Sequence, residues 1–225
     1  MKKTVIITGV SSGVGKKAVE KFLSKKWNVI GLSRNKVDFS SKNYLHIETD
    51  LKSVESIKKT FDVISDKFDS IDLLINNAAI FKMKPFTEFS EQEINDIIDT
   101  NIKGVIFCTL NTLKIMKQGR IVNISSVSGT HGIENQSVYS STKYALNGFS
   151  ESLNQELIKK NILITTICPG GINTPLWNEK NKYPGGDTNK LLKDEDVVNM
   201  IEYVSELPKN VVLKNVVLFP TCEWH

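Results

Sequence analysis

Hydrophobic residues along the chain alternate between two patterns. Short, unbroken β-branched runs suit strands buried on both faces. Longer segments between them repeat apolar residues every three or four positions, the period of a helix with one buried face. The first run, Thr4-Val5-Ile6-Ile7-Thr8, predicts a buried strand, followed by a Gly-rich turn and a helix from about residue 14 to 26. Further strands are predicted at 28–32, 44–49, 71–75, 120–124, 163–167 and 211–219. Helices are predicted over 53–67, where Val54, Ile57, Phe61 and Ile64 share a face, over 139–160 and over 195–207. Another is predicted over 90–116, in two pieces joined near Asn101. This alternation predicts an α/β fold: a doubly wound parallel sheet of about seven strands with helices on both faces.

Two stretches depart from the alternation. The connection 35–43 has only nine residues, too few to supply a full crossover helix easily. The stretch 175–193 is polar, carries Pro184-Gly185-Gly186 and has no clear period, which predicts a mobile loop beside a substrate. Neither reads as a linker, so one domain is expected across 1–225.

Composition narrows the functional classes. Hydrophobic residues make up 40% and charged residues 24%, as in ordinary globular proteins. The formal charge of +4 is spread thinly, without the basic face or tail of a nucleic-acid binder. Cys108, Cys168 and Cys222 are far apart and form no CxxC pair, and His46, His131 and His225 lack ligand spacing. No metal site or disulfide framework is expected, and a reducing, cytoplasmic setting is. The apolar run after Met1-Lys2-Lys3 ends at Gly9, too short for a signal h-region, and no stretch reaches the length of a membrane span.

Candidate chemistry begins at Thr8-Gly9-Val10-Ser11-Ser12-Gly13-Val14-Gly15, a TGxxxGxG turn between the first strand and helix. Glycines let the backbone approach a pyrophosphate, and the helix N-terminus offers free N–H groups and a positive dipole end. After the second strand comes Ser33-Arg34 and no acid. An acid there would bind the ribose 2′-OH of NAD, whereas an Arg forks onto the 2′-phosphate of NADP, with Ser11, Ser12 and Ser33 as possible hydroxyl donors. Asp50, after the third strand, suits either a binding acid or a helix N-cap. Tyr139 and Lys143 are four apart on a helix, on one face, with a rise of about 6 Å. At an effective dielectric of about 20, a cation at that distance favours tyrosinate by about 3 kcal/mol, or about two pKa units.

These motifs, with Asp50-Leu51, Asn76-Asn77-Ala78-Ala79, Asn101, Ile124-Ser125-Ser126, Tyr139-Ser140-Ser141-Thr142-Lys143 and Pro169-Gly170-Gly171-Ile172-Asn173-Thr174, follow the order and approximate spacing of one family. The chain resembles the short-chain dehydrogenase/reductase family, compact branch, from Thr4 to Pro220. The resemblance implies a Rossmann-type fold and hydride transfer between NADP, ahead of NAD, and a small carbonyl or alcohol substrate. It implies Tyr139 as general acid/base, Ser126 rather than Ser125 on the substrate oxygen, and Lys143 on the nicotinamide ribose. Asn101 would position a water next to Lys143. Asn77, Ala78 and Ala79 would line the cofactor groove, and Ala79 stands where relatives often carry Gly. Thr174 and the Ile172 backbone would hold the carboxamide, Pro169 and Gly170 would also bind the cofactor, and Asp50 with Leu51 would flank the adenine. Substrate walls are expected from Phe81 to Lys84, Ser128, His131 and the loop 176–192, whose lysines suggest a polar or anionic substrate. A homodimer or homotetramer is implied through the helices around 101–116 and 139–160. A catalytically silent NADP-binding regulator or scaffold on the same fold is the competing reading, and would be expected to lose part of the catalytic set. Sugar-nucleotide epimerisation would need a larger C-terminal substrate domain.

Overall fold

A computed structural model describes residues 2–178 and 181–223; Glu179 and Lys180 of the predicted loop, and His225, lie outside them. All seven strands pair in parallel, in the order β3-β2-β1-β4-β5-β6-β7. They are β1 (Thr4–Thr8), β2 (Asn28–Ser33), β3 (Tyr44–Glu48), β4 (Leu73–Asn76), β5 (Gly119–Ile124), β6 (Ile162–Pro169) and β7 (Asn215–Leu218). The helices are α1 (Gly13–Ser24), α2 (Val54–Lys67), α3 (Glu91–Ile98), α4 (Val105–Thr112), α5 (Ser137–Leu157) and α6 (Asp194–Glu206).

The unbroken apolar runs become strands because both sheet faces are covered. On one face α1 and α6 pack Ala18, Val19, Phe22, Val197 and Ile201 onto Val5, Ile7 and Val122. On the other, Ile57, Phe61 and Ile64 of α2, Cys108 of α4 and Leu157 of α5 cover Ile6, Leu74 and Ile121. The short connection between β2 and β3 contains no helix. Its Val37 and Phe39 fold back on the core instead, with the Phe39 ring 4.8 Å from that of Tyr44.

Several boundaries differ from those predicted, and three of them bear on the site and its frame. β4 starts at Leu73 rather than 71, because the Asp72 carboxylate accepts the Thr4 N–H at 2.8 Å and begins the pairing there. β7 starts at Asn215 rather than 211. The segment before it is a turn pinned by the buried Arg120, whose guanidinium donates to the carbonyls of Leu207, Pro208 and Val211. α5 starts two residues before Tyr139, so the tyrosine sits inside a formed first turn. The expected break near Asn101 is a π-helical turn, Asp99–Gly104, between α3 and α4.

β1 and β4 are neighbours, yet the chain leaves them for opposite sides of the sheet, which opens a crevice at their C-terminal ends. Thr8 fastens that point. Its Oγ1 accepts the N–H groups of Asn77 and Ala78, both at 3.0 Å. The Asn77 side-chain amide donates back to the carbonyls of Thr8 (2.9 Å) and Gly9 (3.2 Å). The turn is tight enough that a Cβ on Gly15 would lie 2.1 Å from the Gly9 carbonyl oxygen. Gly15→Ala is therefore expected to push α1 off β1 and to lower the melting temperature by about 5 °C or more, read by thermal denaturation of the purified variant.

Candidate active site

The crevice widens into a cleft of about 850 Å³ along the C-terminal edge of the sheet. At one end the turn after β1 presents Gly9, Ser11, Ser12, Gly13 and Val14. Gly9 and Gly13 have φ of +73° and +52°, left-handed values that L side chains rarely adopt. A Cβ on Gly9 would also lie 2.8 Å from the Ala78 Cα. Ser12 caps α1 without a side-chain hydrogen bond of its own, leaving its hydroxyl and the first N–H groups of the helix facing the cleft. This cradle fits a pyrophosphate.

Arg34 lies exposed at the same end, beside Ser33, Asp50 and Leu51. The Ser33 hydroxyl is committed: it donates to the Asn35 carbonyl at 2.8 Å and pairs with His46 Nε2 at 2.9 Å. It has no proton left for a phosphate, so the donor role suggested by the sequence passes to its neighbours. Asp50 is not the N-cap of α2. Ser53 caps that helix by accepting the Ser56 N–H, and Asp50 instead accepts the Lys52 N–H at 3.1 Å. The residues at this end would face the adenosine of a bound dinucleotide.

At the middle of the cleft stand Ser126, Tyr139 and Lys143. Ser126 ends the β5 exit and faces the cleft. Its Oγ donates to Ser128 Oγ (3.2 Å), which in turn donates to the Gln136 side chain (2.8 Å). Ser125 turns the other way and donates to the Lys143 carbonyl at 3.3 Å, as strand alternation requires. The Lys143 ammonium is buried, donates to the Ile124 carbonyl at 2.8 Å, and lies 5.4 Å from the centroid of the Tyr139 ring. Burial pulls it down to about 8. Burial pushes the Tyr139 phenol up to about 12, against a smaller opposite effect of the Ser126 hydroxyl. Helix spacing alone has the lysine lowering the tyrosine. Desolvation dominates instead, because both groups are buried together.

Asn101 is buried just behind this trio. Its side-chain oxygen accepts the Ile80 N–H at 2.7 Å, and its amide donates to the Ile80 carbonyl (2.9 Å) and Thr142 Oγ1 (3.2 Å). These bonds tie the β4 exit to α5 rather than reaching toward Lys143. Of the other predicted site residues, Asn77, Ala78, Ala79, Pro169, Gly170, Ile172 and Thr174 line the cleft. Thr8, Gly15 and Asn101 do not; they shape it from beneath.

The substrate end departs further from expectation. Phe81, Ser128 and His131 line it, but Lys82 and Lys84 turn away to pair with Glu93 at 2.7 and 2.6 Å. The predicted loop contributes Leu176, Trp177, Tyr183, Pro184 and Gly185, while its described lysines, Lys182 and Lys190, do not line the cleft. The loop returns to the sheet edge through Leu192, whose N–H donates to the Gly171 carbonyl at 3.1 Å. Gln136, Phe219, Cys222 and Glu223 also line this end and were not foreseen. Gln136 precedes the Tyr139 motif closely enough to have been found, whereas nothing in the tail sequence pointed inward. Among the described residues no three His, Cys, Asp or Glu side chains gather as metal ligands, and no helix is long and apolar enough to cross a membrane.

The sequence model of the short chain dehydrogenase family matches residues 3–184. A 3-oxoacyl-[acyl-carrier-protein] reductase of Aquifex aeolicus is 37% identical over 187 residues, covering 77% of this chain and 75% of that protein. Among solved structures, the closed form of a serine dehydrogenase complexed with NADP+ superposes with a TM-score of 0.90 at 27% identity, over 99% of this chain and 96% of that one. A 4-hydroxyisoleucine dehydrogenase complexed with NADH gives 0.89 at 27% identity, over 99% and 100%.

The inverted titration has a direct readout. At pH about 10, where an ordinary tyrosine is half ionised, Tyr139 is expected to remain a phenol. The tyrosinate absorbance of the unliganded protein and of Tyr139→Phe should then coincide up to that pH and diverge only in stronger base. A difference already present at pH about 9 would show that the lysine dominates after all.

Proposed function

Since the chain belongs to the short-chain dehydrogenase/reductase family and is an NAD(P)-dependent oxidoreductase acting on CH–OH groups, we propose that it uses NADP in preference to NAD and that Tyr139 carries the proton between phenol and substrate oxygen. The observation that carries this reading is the trio itself: a phenol kept protonated by burial, a serine hydroxyl beside it facing the cleft, and a buried ammonium against its ring.

NADPH, when bound, supplies the hydride. Gly9, Ser11, Ser12, Gly13 and Val14 would hold its pyrophosphate at the N-terminus of α1, and Arg34 its 2′-phosphate. Asp50 and Leu51 would flank the adenine. Asn77, Ala78 and Ala79 would line the groove, and Pro169, Gly170, Ile172 and Thr174 the carboxamide. Lys143 would reach the nicotinamide ribose.

In the reducing direction, the Ser126 hydroxyl turns from Ser128 Oγ to donate to the carbonyl oxygen and holds it against Tyr139. As negative charge builds on that oxygen, the Tyr139 phenol donates its proton. The phenolate left behind is stabilised by the Lys143 ammonium, which is worth more in this dry setting than in water. Because Lys143 titrates near 8, it is predominantly charged at neutral pH, when the phenolate needs it. Asn101 acts as a positioning residue: it holds the β4 exit at the height of α5, and so sets the depth at which Tyr139 stands.

Assembly as a homodimer or homotetramer is part of the same reading. Leu110 of α4 and Tyr144 of α5 are about half exposed, and a Cβ on Gly148 would meet nothing within 4 Å. These features suit close approach by a second copy.

Tyr139→Phe is expected to lower turnover by orders of magnitude while leaving NADPH affinity nearly unchanged, since only the proton donor is lost. Steady-state kinetics with a carbonyl panel, together with fluorescence titration of NADPH, check it. Arg34→Ala is expected to weaken NADPH binding by at least about tenfold and NADH binding by less than about twofold. Equal losses in the two titrations would remove Arg34 from the 2′-phosphate.

A further inference from the structure

The two ends of the cleft carry opposite chemistry. Arg34 and Lys52 stand at the phosphate end. Around the substrate end run aromatic rings, in a chain that starts at the proton donor. Phe81 packs edge-on against Tyr139 with centroids 4.8 Å apart, Trp177 follows at 5.4 Å from Phe81, and Tyr183 at 5.2 Å from Trp177. The chain ends beside a carboxylate: burial pushes the Tyr183 phenol up, and the nearby Glu223 charge adds to that.

Glu223 is held in place by the backbone. Its Oε2 accepts the Gly171 N–H at 2.8 Å, and a Cβ on Gly170 would lie 2.6 Å from the same oxygen. Glycine at both positions lets the carboxylate press against the exit of β6, directly after Pro169, which itself lines the cleft. The hydrogen bond to its carboxylate comes from a neutral donor, a backbone N–H. Among the described residues no lysine, arginine or histidine forms an ion pair with it. Lys143, the buried cation of the cleft, is committed to the Ile124 carbonyl.

An anion held by a neutral backbone donor, at the rim of a compartment faced by tryptophan and tyrosine, is the environment that favours an organic cation. The carboxylate supplies the countercharge and the ring faces supply their quadrupole. Resting on the carbonyl/alcohol reading above, we infer that the substrate is an amino alcohol or amino ketone, with its ammonium group between Glu223 and the Trp177–Tyr183 wall while its oxygen meets Ser126 and Tyr139. Glu223 is then a specificity-determining residue, and an anionic substrate is disfavoured at this end.

The test compares isosteric alcohols as substrates with NADP+. 1-Amino-2-propanol, 4-amino-2-butanol and 5-amino-2-pentanol place the ammonium at increasing distance from the carbinol. 2-Butanol, 2-pentanol and 2-hexanol replace it by methyl, and 3-hydroxybutanoate, 4-hydroxypentanoate and 5-hydroxyhexanoate by carboxylate. At the best length the amino alcohol is expected to exceed its methyl partner in kcat/KM by at least about tenfold, with the carboxylate poorest. Glu223→Gln keeps an acceptor for the Gly171 N–H and removes the charge. It is expected to erase the ammonium advantage through KM while changing the neutral alcohols by less than about twofold. The wild-type comparison stands without the variant, should the variant fail to fold. Preference for the neutral or carboxylate series, or equal losses across the series in Glu223→Gln, would overturn the inference and leave the Tyr139 chemistry intact. Turnover of no alcohol in any series would overturn both.

Discussion

The cleft exists because β1 and β4 are held side by side to their last residues and then released in opposite directions. Thr8 and Asn77 hold that point. Four hydrogen bonds between their side chains and the facing backbone keep the Gly9 turn low against the Ala78 strand exit. Backbone groups beyond the end of a strand have no ladder partner, and leaving them buried and unmet would be costly. Here one threonine hydroxyl and one asparagine amide satisfy them without filling the crevice. Everything that lines the cleft is placed relative to this staple: the N-terminus of α1 above it, the β5 exit with Ser126 beside it, and α5 across from it. Gly15 belongs to the same constraint, since only a residue without a Cβ allows α1 to begin so close to the Gly9 carbonyl.

A second consequence of that packing is electrical. Burying Tyr139 and Lys143 together on α5 disfavours the charged form of each, so the phenol rises and the ammonium falls. The two shifts are useful in sequence. A protonated phenol and a charged ammonium coexist at neutral pH, and in the proposed reaction transfer of the phenolic proton would create a phenolate near a cation that has few other charges to answer to. For stability the lysine acts the opposite way. Its depressed folded value means that the unfolded chain binds more protons between about 8 and its ordinary value of 10.5, so burying Lys143 destabilises the fold below pH about 8, and the penalty is relieved as pH rises through that window. The hydrogen bond to the Ile124 carbonyl offsets part of the penalty. A buried lysine is thus a cost of folding that makes sense only through the chemistry beside it.

Much of this was legible in residue order. Continuous β-branched runs and three- to four-residue periodicity are local signals, and they located every strand and every long helix because burial on two faces leaves a strong imprint on sequence. The glycine turn, Arg34 and the Tyr139/Lys143 pair were also legible, each being a short motif with its own geometry. What local pattern could not carry was direction. Ser33 reads as a phosphate donor until its hydroxyl is seen to donate to the Asn35 carbonyl and to pair with His46, thirteen residues on. Lys82 and Lys84 read as pocket walls until α3 presents Glu93 to both. The strand boundaries at β4 and β7 were set by Asp72 and Arg120, single side chains bonding to backbone across the sheet. The sign of the Tyr139 shift was wrong for a related reason: spacing on a helix gives a distance between two charges, and says nothing of how dry both become.

The end of the cleft was the least legible part, and physically it had to be. The residues after β7 carry no period, and Cys222-Glu223 has no motif value on its own. They enter the site only because Gly170 and Gly171 leave room for a carboxylate against the β6 exit, and because the loop after Thr174 comes back to the same edge through Leu192. The proposed reaction centre and the proposed selectivity surface therefore rest on different kinds of information. The reaction centre is built on α5 and β5, inside the sheet-and-helix frame, where periodicity fixes position. The selectivity surface is assembled from two segments, the loop and the tail, that meet the frame only at its rim, so its chemistry can change by substitution there without disturbing the frame that places Tyr139.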